Sequence, residues 1–269
     1  MIKLIAADLD GTLAESKQAI SPEIAMQICM LLQHYKFAVI SGGPYEQFVK
    51  QIVSKLPCAV KSTPKGACAD ECLANLILLP ENGSSLYTFD HEHKGGAGWY
   101  AVYRDILEPT TKLKIMNALE TVIAEAKRNG DINPVAPLYG QQIEDRGGQV
   151  TFSALGQEAP VAAKAPWDPD AKKRTRMAEK LRALVPECDV HVGGMTSIDI
   201  TRKGVDKAYA IGRLKEYLGV AQDEIIFFGD ALFTGGNDEP VARMGVRTVK
   251  VSKPADTVEA FSKINQGIV

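Results

Sequence analysis

The sequence predicts an α/β fold in which a parallel sheet is flanked by helices and interrupted by a second domain. Short apolar runs at residues 4–7 and 37–40 indicate strands that are buried on both faces. Between them, Ser21, Pro22 and Glu23 mark the start of a helix, and an apolar face follows at helical spacing. A strand, a helix and a second strand in this order predict a right-handed parallel unit.

Further strands are predicted both before and after a central stretch whose sequence pattern does not fit a parallel α/β unit. They are predicted at four further places, residues 76–79, 198–201, 225–228 and 248–251. In the central stretch, two alternating runs flank Gly147 and Gly148, a pattern typical of a β-hairpin. Because antiparallel pairing is foreign to a parallel α/β unit, we interpret this stretch as an insertion. We expect the core domain at residues 1–83 and 190–269 and the inserted domain at 84–189.

Amphipathic patterns predict two helices in the inserted domain, at residues 113–126 and 170–184. The second helix begins with a cluster of basic residues, Lys172, Lys173, Arg174 and Arg176. A charge run at a helix start usually faces water, so we expect this cluster on the solvated face.

Composition excludes several classes of protein. The chain has 269 residues, of which 31 are Lys or Arg and 33 are Asp or Glu, so its formal net charge is −2. No overall basic field attracts nucleic acid or an anionic membrane, and neither is expected as a partner. The five cysteines are odd in number and form no CxxC pair, which predicts free thiols in a reducing compartment. The apolar run near the start is too short for a signal peptide, so we expect a cytoplasmic protein.

Polar side chains follow several of the predicted strands. Asp8 and Asp10 follow the first, Ser41 the second, and Asp230 the strand at 225–228. Ligands of open parallel sheets bind outside the carboxyl ends of the strands, so we expect these groups to converge there.

This set of side chains predicts phosphoryl chemistry. One carboxylate of the Asp8 and Asp10 pair can attack phosphorus while it binds a hard cation, and the other can move a proton. Together with Asp230 they offer several oxygens, which suit Mg²⁺. Gly42 and Gly43 after the second strand allow the backbone to approach a phosphate closely.

Four segments resemble, in order and spacing, the motifs of the haloacid dehalogenase (HAD) superfamily: Asp8-Leu9-Asp10-Gly11-Thr12, Ser41, Lys207, and Gly229-Asp230 with Gly236-Asn237-Asp238. This resemblance implies a Rossmann-like core in which Asp8 is the nucleophile and forms an aspartyl-phosphate. It implies that Asp10 is the general acid/base and binds Mg²⁺ through its backbone carbonyl. Ser41 would bind the transferring phosphoryl group, and Lys207 would neutralise its charge. The implied metal site is formed by Asp8, Asp10, Asp230, Asn237 and Asp238.

Within that superfamily the chain is similar to subclass IIB, and most of all to the eukaryotic-type phosphomannomutases. Three segments provide the similarity: Phe228-Gly229-Asp230 with Thr234-Gly235-Gly236-Asn237-Asp238, Gly193-Gly194-Met195-Thr196-Ser197-Ile198-Asp199, and Gly204-Val205-Asp206-Lys207. The resemblance implies that the inserted domain is an α/β cap of the C2B type. It further implies that four cap-side residues bind the substrate, namely Arg146, Lys164, Ser197 and Asp199.

The sequence also departs from this family's pattern. Gln157 stands where the family has a second arginine that holds the distal phosphate, and Lys164 stands roughly where it has a third. An arginine binds phosphate through two parallel hydrogen bonds, which neither replacement can make. A mutase must hold a bisphosphate by either end, so these departures favour a phosphatase.

The sequence therefore predicts a Mg²⁺-dependent enzyme that transfers phosphoryl groups from a small phosphorylated sugar. A sugar-phosphate phosphatase is favoured over a phosphomannomutase. A non-catalytic phosphosugar-binding protein is the alternative of another class. Which sugar is used stays open, and so does the assembly, for which a homodimer is one option.

Overall fold

The computed structural model describes residues 1–57, 70–90, 92 and 98–268, so Cys58 and Cys68 lie outside the described residues. The strands are β1 (Leu4–Asp8), β2 (Lys36–Ile40), β3 (Leu76–Leu79), β4 (Ser85–Asp90), β5 (Gly98–Arg104), β6 (Ile143–Asp145), β7 (Gln149–Ser153), β8 (Cys188–Gly193), β9 (Ser197–Arg202), β10 (Ile225–Gly229) and β11 (Arg247–Lys250). The α-helices are α1 (Pro22–Leu31), α2 (Tyr45–Gln51), α3 (Pro109–Arg128), α4 (Val161–Lys164), α5 (Lys172–Leu184), α6 (Lys207–Leu218), α7 (Glu239–Arg243) and α8 (Pro254–Asn265). Among these, no helix is long and apolar enough to cross a membrane.

The first compact unit is built on a seven-stranded sheet with the order β11-β10-β1-β2-β3-β4-β5. The pairs from β11 to β3 are parallel, whereas β4 pairs antiparallel with both β3 and β5. Both faces of β1 are buried: Ile5 and Ala7 pack with α1 and α8, and Leu4 and Ala6 pack with α6 on the opposite face. This two-sided burial confirms the predicted parallel α/β core.

The predicted helix start at Ser21 is confirmed. The Ser21 hydroxyl accepts a hydrogen bond from Ile24 N at 3.3 Å, and Pro22 occupies the first helical position. The bond satisfies one of the amide groups that every helix leaves unpaired at its start.

The second compact unit contains a four-stranded antiparallel sheet with the order β6-β7-β9-β8. The side chains alternate across this sheet. Val150, Phe152, Ile198 and Ile200 belong to an apolar core that also contains residues of α3 and α5. The intervening positions of β7 and β9 are polar, and they form the opposite face of the sheet.

The domain boundaries of the structure differ from those expected at 84 and 189. The first unit comprises residues 1–104 and 206–269, and the second comprises 105–205. Strands β4 and β5 extend the first sheet at the edge of β3, although they lie in the range expected for the insertion. Conversely, β9 pairs with β7 and β8 rather than with core strands. The sequence pattern of a segment does not identify the strand with which it pairs, so the sequence alone does not place either segment in its sheet.

Candidate active site

Asp8 and Lys207 form the centre of the candidate site in the first unit. Asp8 ends β1 at the carboxyl edge of the parallel sheet, and Lys207 is the first residue of α6. Lys207 Nζ donates to Asp8 Oδ1 and to Asp238 Oδ1, each at 2.6 Å, and all three side chains are at most 6% exposed. The start of α6 is fixed by Asp206, whose carboxylate accepts from Tyr209 N at 2.9 Å.

Three carboxylates meet at this lysine. One oxygen each from Asp8, Asp230 and Asp238 lies within 4.8 Å of the others. Burial raises the pKa of Asp8 well above its ordinary value, with Asp238 and Asp230 adding to the rise and Lys207 opposing it. Burial, and then Asp238, also raises the pKa of Asp230. In the fully ionised state one ammonium faces three carboxylates, so the cluster has a net charge of 1 − 3 = −2.

Burial alone would lower the pKa of the Lys207 ammonium. The nearby carboxylates of Asp238 and Asp8 outweigh this effect and raise it above its ordinary value. Lys207 is therefore a fixed positive charge throughout the physiological pH range.

A glycine makes room for the acidic cluster. Gly11 has φ +93°, a conformation that L side chains rarely adopt, and a Cβ added to it would lie 2.5 Å from Asp230 Oδ2. Both the turn after β1 and the position of Asp230 thus require glycine here.

The side chain of Asp10 is held by hydrogen bonds separate from those of the three clustered carboxylates. Its Oδ1 accepts from Lys17 N at 2.8 Å and from Gln51 Nε2 at 3.4 Å. Gln51 is buried at the end of α2 and also donates to Gln18 O. Gln51 is not predictable from the sequence, because a single glutamine on a helix has no distinguishing pattern. The Asp10 side chain is positioned by protein groups, as a proton-transfer group requires.

Ser41 and Gly43 lie in a loop that is tied to the neighbouring connection. The Ser41 hydroxyl accepts from Gly43 N at 3.4 Å. Two backbone bonds, Glu81 N to Gly43 O at 3.1 Å and Asn82 N to Ser41 O at 3.0 Å, join the loop after β2 to the segment after β3. Gly42 lies between them, so the structure keeps together the three residues predicted to bind the phosphoryl group. Asn237, predicted as a metal ligand, is half-buried and precedes Asp238.

In the second unit, the polar face of the sheet brings several predicted substrate residues together. Thr151 lies opposite Asp199, and its hydroxyl donates to Asp199 Oδ1 at 2.8 Å. Gln149 Nε2 in turn donates to Thr151 Oγ1 at 2.8 Å. Ser197 lies opposite Ser153 on the same face. Asp199 is only 9% exposed, so these two consecutive hydrogen bonds hold a buried carboxylate in place.

Arg146, the predicted phosphate-binding arginine, is paired with an acidic residue. Its Nε and Nη2 donate to Glu144 Oε2 at 2.8 and 2.6 Å, and Nη2 also donates to Gln157 Oε1 at 3.3 Å. Residue 157 is thus a neighbour of Arg146, although it brings an amide rather than a charge. Lys164, at the end of α4, is 5% exposed.

Comparisons with solved structures show the fold. An IMP-nucleotidase from Plasmodium falciparum matches with a TM-score of 0.72 at 16% identity, over 98% of this chain and 70% of that one. A haloacid dehalogenase-like hydrolase from Bacteroides thetaiotaomicron matches with a TM-score of 0.58 at 18% identity, over 98% of this chain and 100% of that one. The fold is therefore that of the HAD superfamily, as the sequence predicted.

Sequence comparisons identify the family. The chain matches the model of the eukaryotic phosphomannomutase family over residues 132–266. It is 32% identical to a phosphomannomutase from Nicotiana benthamiana over 95% of this chain and 91% of that protein. It is 26% identical to phosphomannomutase 1 from Homo sapiens over 96% and 90% of the two chains. The chain belongs to the eukaryotic phosphomannomutase family. These comparisons support an enzyme that is a phosphohydrolase or a mutase.

Proposed function

We propose that the protein is a Mg²⁺-dependent phosphotransferase that takes a phosphoryl group from a phosphorylated sugar onto Asp8, and that water then releases it as phosphate. The observation that supports this most is the buried Asp8 carboxylate, which is bonded to Lys207 at 2.6 Å and faces Asp230 and Asp238. A fixed cation beside a carboxylate nucleophile neutralises the charge that phosphoryl transfer brings to the site.

The acidic cluster fits a divalent cation. Its charge of −2 would be balanced by one Mg²⁺, and carboxylate oxygens are the ligands that this ion prefers. Asp8 and Asp230 would be its carboxylate ligands. Asp238 is bound on one side by Lys207 and on the other by Ala231 N at 3.0 Å, so we assign it mainly to orienting the lysine. The bound ion would supply a positive charge for the transferring phosphoryl group.

Asp10 would act as the general acid and base. Its side chain is held by Lys17 N and Gln51, and not by the lysine that neutralises Asp8. We propose that it protonates the departing sugar oxygen and then removes a proton from the attacking water.

Hydrolysis is favoured by the surroundings of Arg146. A mutase must retain a sugar bisphosphate by its distal phosphate, which needs excess positive charge. Here the charge of Arg146 is balanced by Glu144, and the adjacent residue 157 is an uncharged glutamine. Arg146, Lys164, Ser197 and Asp199 would then recognise a monophosphorylated sugar.

Phosphomannomutase activity is the second candidate. It is favoured by the relatives, which are phosphomannomutases that align with this chain along more than nine-tenths of its length. Two basic residues, Arg146 and Lys164, remain among the predicted contacts to the distal phosphate. Weaker binding of a bisphosphate is therefore compatible with the same residues.

Phosphorus NMR of the purified protein distinguishes the two activities. The sample would contain Mg²⁺, mannose 1-phosphate and a trace of hexose 1,6-bisphosphate. Growth of the inorganic phosphate signal alone supports the phosphatase, whereas growth of hexose 6-phosphate supports the mutase and refutes the phosphatase. The variant Asp8→Asn is the control, since any turnover that it retains contradicts the assignment of the nucleophile.

A further inference from the structure

Arg174 and Asp168 form a buried ion pair in the second unit, in the basic run that was expected to face water. That expectation was wrong for Arg174, which is 5% exposed, while Asp168 is 3% exposed. Arg174 Nε donates to Asp168 Oδ2 at 2.9 Å, and Nη2 donates to Asp168 O at 3.0 Å. The Asp168 carboxylate also accepts from Lys173 N and Arg174 N at the start of α5, so it fixes the backbone there as well.

The other end of the guanidinium reaches the connection between β8 and β9. Arg174 Nη1 donates to Gly193 O at 3.1 Å and to Gly194 O. On another side the same connection is held by Ala154 N, which donates to Thr196 O at 3.0 Å. The turn over residues 193–196 is therefore fixed by two independent groups of hydrogen bonds.

This turn leads directly into the residues to which we assign sugar recognition. Ser197 begins β9, and Asp199 follows two residues later on the same face of the sheet. A Cβ added to Gly193 would lie 2.8 Å from Asp199 Oδ2, so the backbone at Gly193 is packed against that carboxylate. A displacement of the turn would consequently displace the Asp199 carboxylate.

We propose that Arg174 is a positioning residue, which holds the turn over residues 193–196 and thereby sets Ser197 and Asp199 for recognition of the sugar. Only an arginine can bind one carboxylate and three carbonyl oxygens at once, because its five N–H groups lie in one fixed plane. The inference rests on the proposed sugar-phosphate substrate and adds a residue that makes no direct contact with it.

The test compares a sugar phosphate with p-nitrophenyl phosphate, which has no sugar to recognise. Arg174→Lys keeps the charge but loses the planar fork. We expect it to raise the KM for hexose phosphate by about tenfold or more, as the loss of one to two charged hydrogen bonds implies. The kcat and KM for p-nitrophenyl phosphate should stay within about twofold, because that reaction uses only Asp8 and its surroundings.

Arg176→Lys is the matched control. Arg176 lies on the same helix, is 53% exposed and pairs with Asp131 at 2.5 Å, so its replacement should leave both substrates unaffected. If Arg174→Lys fails to fold, the double variant Asp168→Asn with Arg174→Met removes both charges and leaves no buried carboxylate alone.

The inference is overturned if the Arg174 variants leave the KM for hexose phosphate unchanged, or if they lower turnover of both substrates equally. Failure of the proposed function is recognised separately, since wild-type protein would then turn over p-nitrophenyl phosphate but no hexose phosphate. In that event amide hydrogen exchange over residues 193–199 decides. Faster exchange in the Arg174→Lys variant than in the Arg176→Lys variant supports the positioning of the turn, and equal exchange refutes it.

Discussion

Lys207 and Asp8 are 199 residues apart in the sequence, yet a buried hydrogen bond of 2.6 Å joins their side chains. Lys207 also donates to Asp238 at the same distance. Among the described residues, it is the only positively charged group that pairs with carboxylates of the cluster. The stability of the core and the charge balance of the site therefore depend on the same ammonium group.

Replacing Lys207 with Met should abolish activity and destabilise the metal-free protein. The change leaves buried carboxylates without their counter-charge, which typically costs about 3–5 kcal/mol of the free energy of unfolding. Turnover should fall at least about a hundredfold, as expected when a fixed group that stabilises transition-state charge is removed. Urea unfolding in EDTA and assays in Mg²⁺ measure the two effects.

Lys263→Met provides the comparison for this variant. Lys263 is 52% exposed and pairs with Glu259 on α8, so its loss should cost less than about 1 kcal/mol. Similar destabilisation by the two variants would show that the buried pair has no special role.

Asp230→Asn should stabilise the metal-free protein at neutral pH. The folded-state pKa of Asp230 is raised, so the native state binds the proton more tightly than the unfolded state does. Its contribution to the free energy of unfolding is thus present at low pH and is lost as the pH rises through the raised pKa. Asparagine does not titrate, so the advantage of the variant over wild type should be larger at pH 7.5 than at pH 4.5 in EDTA.

The same variant should respond weakly to Mg²⁺. A ligand that binds only the native state stabilises by about 2.7 kcal/mol at a hundred times its Kd. Wild-type protein titrated with Mg²⁺ should show this rise in the free energy of unfolding, and Asp230→Asn should show much less. An equal response of both proteins would argue against Asp230 as a metal ligand.

Much of the core was predictable because its strands are short, apolar and buried on both faces. The strands at residues 4–7, 37–40 and 225–228 pair in parallel, as their apolar pattern predicted, although their order in the sheet could not be read from the sequence. The pairing of β4 and β5 with the core was not predictable, because a free sheet edge accepts any strand that reaches it.

The site residues that directly follow a predicted strand could be predicted from the sequence. Those whose role depends on contacts with distant residues could not. Asp8 and Asp230 converge as expected. Gln51 and Arg174 were missed because their roles come from partners that are distant in the fold, and no local pattern distinguishes such a residue from a surface one.

Gly11→Ala should remove activity and lower stability by more than the backbone conformation alone explains. The added methyl group would clash with Asp230 Oδ2 at 2.5 Å, besides the strain of φ +93°. Gly219→Ala is the matched control, because Gly219 has φ +64° and open space around its Cβ position. The control should cost about 1 kcal/mol. Thermal unfolding measures the loss of stability in each variant. Equal losses would contradict the proposed clash between residue 11 and Asp230.

Gln51→Leu should impair protonation of the leaving group by Asp10. The variant removes the bonds from Gln51 Nε2 to Asp10 Oδ1 and to Gln18 O and replaces the amide by an apolar group. We expect kcat/KM for a hexose phosphate to fall by about tenfold and kcat/KM for p-nitrophenyl phosphate to fall less, because nitrophenolate leaves without a proton and kcat/KM does not include the later attack of water. Glu46→Gln, on the exposed side of the same helix, should change neither value. Equal losses for the two substrates would assign Gln51 to folding rather than to proton transfer.

Gln157→Arg should shift the reaction towards phosphate transfer between sugar positions. Residue 157 lies within 3.3 Å of Arg146, whose charge Glu144 already balances, so a second arginine would give this region an excess positive charge. One added charged hydrogen bond is worth about 1.5–3 kcal/mol, or about ten- to a hundredfold in affinity for a sugar bisphosphate. Phosphorus NMR should show a higher ratio of hexose 6-phosphate to inorganic phosphate than in wild type. Gln157→Met removes the amide without adding charge and should leave the ratio at the wild-type value. If Gln157→Arg also leaves this ratio at the wild-type value, the identity of residue 157 does not decide between hydrolysis and mutase activity.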